Sequence, residues 1–434
     1  MAGFDTLRIR AGYDSSEHNY AVNVPIYQTA AFDLGSIERA ESLWAMDEAA
    51  AIYTRVGNPT VTALENRLAA LDNAQSVLAL SSGMSAISYT IIALAEGGGN
   101  IVAPCSLYGG TEDSFSNFFP KFGINIKFVA NRFDPKTYED AIDEKTRGIY
   151  LETISNPNAE LYDIEAIAEI AHRHKIPLIV DNTVATPYLF NPFEHGADII
   201  VYSATKAIGG HGNTIAGIIE ESGKFHYSEE LFPQFYKKSH KIRNREGVSR
   251  SAVDIDPKAP LIIHLRAFYL EFIGAALSPF SAFLILQGLD TISERVEKQT
   301  RTAEKLVKYL EERKEVAWVK HASAKGSDFK ALAEKYFPKG AGSLLSFGFS
   351  GTEDQLDRFI KHLKYFSYHV NIGDVRSLIV NSPKTTHAEL DEGRLKKAGI
   401  ETNTVRISAG LESVDDLIND LEEAFKEVFG HGSI

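Results

Sequence analysis

Short apolar runs and polar turns alternate along most of this chain. Runs rich in β-branched residues and leucine lie at 76–80, 101–103, 124–129, 148–152, 178–181, 199–202 and 215–219. Each has the length of a strand buried on both faces. Helical spacing separates several of them, most clearly at Ile164, Ile167, Ala168 and Ala171. This alternation predicts an α/β fold with a mainly parallel sheet covered on both sides. Ser36 is expected to cap a helix carrying Ile37, Ala40 and Leu43, and Asn58 with Pro59 to start another through Val61, Leu64, Leu68 and Leu71.

The rhythm lapses from about 225 to 260, where Lys237, Lys238, Lys241, Arg243, Arg245 and Arg250 form a basic stretch. It reads as a solvated surface insertion. Helical spacing returns at Ile292, Val296, Ala303, Leu306 and Leu310 as a long connecting helix. Strands at 344–349 and 405–408 then belong to a smaller α+β unit. Ser413 with Asp416 is expected to cap its last helix, through Leu417, Leu421, Phe425 and Val428. The expected division is an N-terminal arm over 1–60, a main α/β domain over 61–265, and a connecting helix with a C-terminal α+β domain over 266–434.

Composition narrows the function classes. The 434 residues are ample for a large core, and the net charge of −13 disfavours nucleic acid and anionic membrane surfaces as partners. One cysteine, Cys105, allows no internal disulfide and fits a reducing, cytoplasmic compartment. It follows an apolar run and reads as a strand-end core residue rather than a nucleophile. The first ten residues lack the apolar core of a secretion signal. Residues 272–289 carry no charge, but Gly274, Ser278, Pro279, Ser281 and Gln287 interrupt them, so a buried or interface segment is expected rather than a membrane span. No metal site is expected.

The chemistry concentrates in residues 197–212, ADIIVYSATKAIGGHG. An apolar strand ends in Ser203, Thr205 and Lys206, and glycines follow that let the backbone turn sharply beside a ligand. One strand earlier, 177–180 ends at Asp181. Ligands of open α/β sheets sit at the carboxyl ends of strands. A lysine and a carboxylate there suit pyridoxal phosphate: the amine forms a Schiff base, and the acid keeps the pyridine nitrogen protonated. The two residues alone are equally compatible with a structural ion pair at a loop rim. Ser81-Ser82-Gly83-Met84-Ser85 joins a strand to a helix, and the free amides of such a helix start suit a phosphate. Neither a Walker lysine nor a full dinucleotide fingerprint is present.

Seven blocks in order, YTRVGNPT, SSGMSA, SLYGGT, ETISNPN, VDNTVATPY, SATKAIGGHG and VRISAGLES, span residues 53 to 413. Together they resemble the Cys/Met-metabolism (trans-sulfuration) family of pyridoxal-phosphate enzymes. The resemblance implies the type I fold of those enzymes, like that of aspartate aminotransferase. It implies Lys206 as Schiff-base residue and proton carrier, Asp181 at the pyridine nitrogen and Tyr108 stacked on the ring. Gly83, Met84, Ser203 and Thr205 would bind the phosphate, joined by Tyr53 and Arg55 from a neighbouring subunit. Arg406 would hold the substrate carboxylate with Asn156 and Ser377, and Tyr53 and Tyr108 are candidate proton relays. A homotetramer of two active-site-sharing dimers is a further implication.

Within the family, residues 180–206 and 274–300 are most similar to the O-acetylhomoserine sulfhydrylase branch. That branch replaces the γ-acetate of O-acetylhomoserine with sulfide or methanethiol, giving homocysteine or methionine. The alternatives within the family are γ-elimination of methionine or cystathionine, and use of O-succinylhomoserine. Gly110 stands where methionine γ-lyases usually carry cysteine, and Arg376 where cystathionine enzymes usually carry an acid. Residues 381–384, Asn-Ser-Pro-Lys, and Ala409 depart from the family's commoner residues.

Overall fold

The computed structural model describes residues 2–430 apart from 46, 49 and 130. Seven strands form the main sheet: β1 (Ser76–Leu80), β2 (Asn100–Ala103), β3 (Asn125–Phe128), β4 (Thr146–Glu152), β5 (Leu178–Asp181), β6 (Ile199–Tyr202) and β7 (Gly217–Glu221). Their order is β1-β7-β6-β5-β4-β2-β3. Every pairing is parallel except the two made by β7, which runs against β1 and β6.

The sheet is buried on both faces, as its continuous apolar runs require. Along β6, Ile200 and Tyr202 enter one core while Ile199 and Val201 enter the other; β1 divides Val77 and Ala79 from Leu78 and Leu80 in the same way. Helix α1 (Pro59–Asp72) opens with the Asn58 side chain accepting the Thr60 N–H at 3.0 Å, and packs on β1. Helix α2 (Gly83–Leu94) follows β1 directly and is capped by the Ser82 hydroxyl, which accepts the Ser85 N–H at 3.0 Å.

The 225–260 stretch is more than a solvated insertion. Tyr227, Phe232 and Phe235 are buried in the second core, and a hairpin of β8 (Ser239–Arg243) and β9 (Ser249–Arg250) carries the basic residues outward. There Lys241 lies 3.5 Å from Glu271 and Arg245 3.1 Å from Asp47. Continuous helix covers Pro260 to Ile273, across the expected boundary at 265. The uncharged stretch after it splits: Phe272, Ile273 and Phe280 are exposed, whereas Leu277, Ala282, Ile285 and Leu289 are buried. Among the described residues no helix is long and apolar enough to cross a membrane.

Helix α3 (Ile292–Glu311) leads into an antiparallel sheet of β10 (Val316–Lys320), β11 (Leu344–Phe349), β12 (Leu378–Asn381) and β13 (Thr404–Ser408), ordered β10-β11-β13-β12. Leu345, Phe347, Ile379, Val405 and Ile407 face a core shared with α3 and the last helix, α4 (Val414–Phe429). Period-2 alternation sends Arg406, flanked in register by Ser346 and Val380, to the opposite face, toward the main domain. The expected cap on α4 is not made: Ser413 forms no side-chain capping bond.

Candidate active site

Asp181 and Lys206 leave the carboxyl ends of adjacent parallel strands, β5 and β6, and both line one cleft. The cleft is also lined by Gly83, Met84, Tyr108, Asn156, Ser203, Thr205 and Arg406. Nine of the twelve residues singled out from sequence therefore meet in one place.

Lys206 is held from both ends. Its Nζ donates to Asn371 Oδ1 at 2.8 Å. Behind the turn that follows it, buried Arg295 of α3 donates to the carbonyls of Ala207 at 2.8 Å and Ile208 at 3.2 Å. One turn further along α3, Gln299 donates to the Asp374 carbonyl at 2.7 Å, fixing the loop that carries Asn371. Gly210 lies against the Arg295 guanidinium with φ near +73°, so no side chain fits there. Burial pulls the Lys206 amine down to about 8, and the nearby Arg406 charge acts in the same direction. Its neutral, proton-accepting form is thus within reach near neutral pH.

Asp181 is half-buried in the cleft wall, and desolvation of its carboxyl pushes its pKa up; Thr183 and Tyr150 act against that shift. The Thr183 N–H reaches Oδ1 at 3.0 Å and the Tyr150 hydroxyl donates to Oδ2 at 3.1 Å. The Thr183 hydroxyl in turn accepts the Ser203 N–H at 2.8 Å, tying the two strand ends together.

The start of α2 forms another wall of the cleft. Its first amides, those of Gly83 and Met84, have no carbonyl a turn earlier to bond. A Cβ on Gly83 would fall 2.6 Å from that of Ser203, so only glycine allows this approach. Thr205 Oγ1 donates to the Ala216 carbonyl at 3.2 Å and accepts the Ala216 N–H at 3.0 Å.

Arg406 is buried, and among the described residues no carboxylate lies at hydrogen-bond range of it. Its Nη1 donates to Asn156 Oδ1 and its Nη2 to the Asn371 carbonyl, both at 2.9 Å, while Nε is buried with no partner. Burial lowers its pKa to about 10. A buried cation met only by neutral oxygens is a seat for an anion. Burial also raises the Tyr108 hydroxyl, against the pull of Arg406.

Three expected site residues lie outside this cleft. Ser377 is fully buried; its hydroxyl donates to Glu412 and accepts the Gly410 N–H, both at 2.8 Å, which leaves it no free direction toward a ligand. Tyr53 is exposed, and Arg55 stacks over its ring at 5.0 Å and lies 3.4 Å from Glu271. Neither reaches the cleft of its own chain. Cys105, read as a core residue, is half-buried and donates to the Lys397 carbonyl at 3.0 Å. Sequence reasoning gave no role to Glu152, Thr183, Asn371 or Thr386, all of which line the cleft. The Asn371-Ile372-Gly373-Asp374 turn was the available signal. Among the described residues no His, Cys, Asp and Glu cluster could hold a metal ion.

The sequence profile of the Cys/Met metabolism PLP-dependent enzymes matches residues 5–426. The chain belongs to that family. Its cofactor is pyridoxal 5'-phosphate. The chain is 40% identical to a sulfhydrylase, FUB7, of Gibberella moniliformis, over 98% of each chain. It is 39% identical to an O-acetyl-L-homoserine sulfhydrylase of Corynebacterium glutamicum, over 98% of this chain and 97% of that one. A solved Campylobacter jejuni structure, assigned as an O-acetylhomoserine (thiol)-lyase and carrying N'-pyridoxyl-lysine-5'-monophosphate, superposes with a TM-score of 0.91. It is 34% identical and covers 98% of this chain and 100% of its own. The cleft fits such a cofactor: an amine and an acid at adjacent strand ends, and a tight glycine cradle at a helix start.

Proposed function

We propose that this enzyme carries out γ-replacement, converting O-acetyl-L-homoserine and sulfide, or methanethiol, into L-homocysteine, or methionine, and acetate. The observation that carries the reading is the convergence of Lys206, Asp181 and a carboxylate-free Arg406 on one cleft, in a chain matching two sulfhydrylases end to end.

Bound pyridoxal phosphate supplies an electron sink beside the substrate's Cα. The chain does the rest. Gly83 and Met84 amides with the Ser203 hydroxyl would hold the phosphate, joined by the Thr205 hydroxyl once it turns from the Ala216 carbonyl; Asp181 would hold the ring nitrogen, Lys206 the aldehyde carbon and Tyr108 the ring face. Arg406 and Asn156 orient the substrate carboxylate, which fixes where Cα and Cβ lie relative to Lys206. An amine with its pKa near 8 can accept the Cα proton and return a proton later at a neighbouring carbon.

Tyr53 and Arg55 are proposed to act in the cleft of a second copy, where Arg55 would reach the phosphate and Tyr53 serve with Tyr108 as a proton relay. Their position outside their own cleft supports this sharing, within a homotetramer. The chain is proposed to act in the cytoplasm, and to divide functionally at about 60 and 265.

The test is product analysis of the purified protein with O-acetylhomoserine plus sulfide, and separately with methionine or cystathionine alone. Homocysteine and acetate from the first mixture support the reading. Ketoacid and ammonia from a single amino acid at comparable efficiency would make the enzyme an elimination lyase instead.

A further inference from the structure

We propose that Glu152 is a positioning residue for this reaction, one buried carboxylate that sets both the ring-stacking loop and the carboxylate-binding loop. Glu152 ends β4, in register with Asp181 on β5, lines the cleft and is 4% exposed. Its two oxygens are divided between two segments. Oε1 accepts the Tyr108 N–H at 2.6 Å, and Oε2 accepts the Asn156 N–H at 2.9 Å.

Those are the amides of two loop residues that themselves line the cleft. The Asn156 side chain continues to Arg406 at 2.9 Å. A single chain of hydrogen bonds thus runs Tyr108–Glu152–Asn156–Arg406, joining the main sheet to the C-terminal sheet. Both oxygens are taken by fixed backbone donors, so Glu152 acts through its neighbours. Burial and the Asp181 charge push its pKa up, while the two amides favour the charged form. Only a carboxylate offers two acceptors at this spacing: a glutamine keeps one, and its NH2 would meet the other N–H head-on.

The inference rests on the reading of the cleft as the γ-replacement site, but half of its test does not. Glu152→Gln and Glu152→Ala holoenzymes would be compared with the parent for amide hydrogen exchange, melting temperature, and kcat and KM for O-acetylhomoserine. The expected Gln result is faster exchange confined to residues 106–113 or 153–160, and kcat/KM reduced about thirtyfold, mainly through KM. The Ala variant, if it folds, should free both loops. Unchanged exchange in both loops of the Gln variant, or a lowered melting temperature with kcat and KM intact, would overturn the inference. A parent inactive on O-acetylhomoserine would defeat the functional reading alone, because the exchange comparison would still decide whether Glu152 braces the two loops.

Discussion

The two halves of the cleft manage charge in opposite ways. On the main sheet, polar groups leave strand ends and bond each other: Asp181 takes the Thr183 amide and the Tyr150 hydroxyl, and Thr183 takes the Ser203 amide. On the C-terminal sheet, Arg406 sits within β13 between buried Val405 and Ile407, held by neutral oxygens, with Nε bare. The first half is built to hold one group in one orientation. The second presents a cation that only neutral oxygens meet. Lys206 bridges them, with its backbone on the first half and its amine on Asn371 of the second.

Substitutions in each half should separate their roles. Removing the bridge should have the largest effect: Lys206→Ala is expected to lower turnover at least about 10⁴-fold and abolish the visible absorbance of the lysine aldimine. Next comes the anion seat. Arg406→Leu should reduce kcat/KM for O-acetylhomoserine about 10²-fold or more, mostly through KM, with Arg406→Lys recovering part because a point charge replaces a planar fork. Cofactor affinity, measured by equilibrium titration, should be nearly unchanged if the halves are as distinct as their bonding suggests.

A smaller effect is expected at Asn371. Asn371→Asp would put a carboxylate where Lys206 Nζ now finds an amide oxygen at 2.8 Å. The amine's pKa should then rise from about 8 toward the ordinary lysine range. Acylation of Lys206 in cofactor-free protein, followed against pH by peptide mass spectrometry, reads the shift; an unmoved midpoint would separate Asn371 from the amine.

The smallest concerns acid. Burial holds His387, whose Nε2 lies 3.4 Å from the Leu107 carbonyl, and His321 each down at about 4. Both fold as neutral rings. Their contribution to stability is complete above the unfolded histidine value of about 6.5 and is lost as pH falls toward 4, since the unfolded chain binds those protons first. Melting temperature should decline over that window, and His387→Gln should flatten part of the decline. An identical slope in the variant would remove His387 from this account.

Legibility in the sequence follows the same divide. A strand end is marked by an apolar run that stops at a polar residue, so Asp181, Ser203 and Lys206 could be placed from local pattern alone. The start of α2 was equally visible through Ser82 and Gly83. Arg406 has no such signature: one arginine inside an apolar strand is the same text whether its face meets solvent or a ligand, and only family resemblance singled it out. The direction of Ser377 is hidden from the sequence for a related reason. Its direction depends on Glu412, 35 residues later in the chain, and no local pattern reports a contact made across such a distance. Glu152 was in plain view at the end of β4, but its role depends on two amides brought to it by loops 44 residues before and 4 after. The buried aromatic cluster at Tyr227, Phe232 and Phe235 was hidden because neither strand nor helix period organises it.

Borohydride reduction of the holoenzyme, followed by proteolysis and mass spectrometry, reads directly which lysine carries the cofactor. One pyridoxyl group per chain is expected, on Lys206. A pyridoxyl group on another lysine, or none on a protein that retains its absorbance, would contradict it.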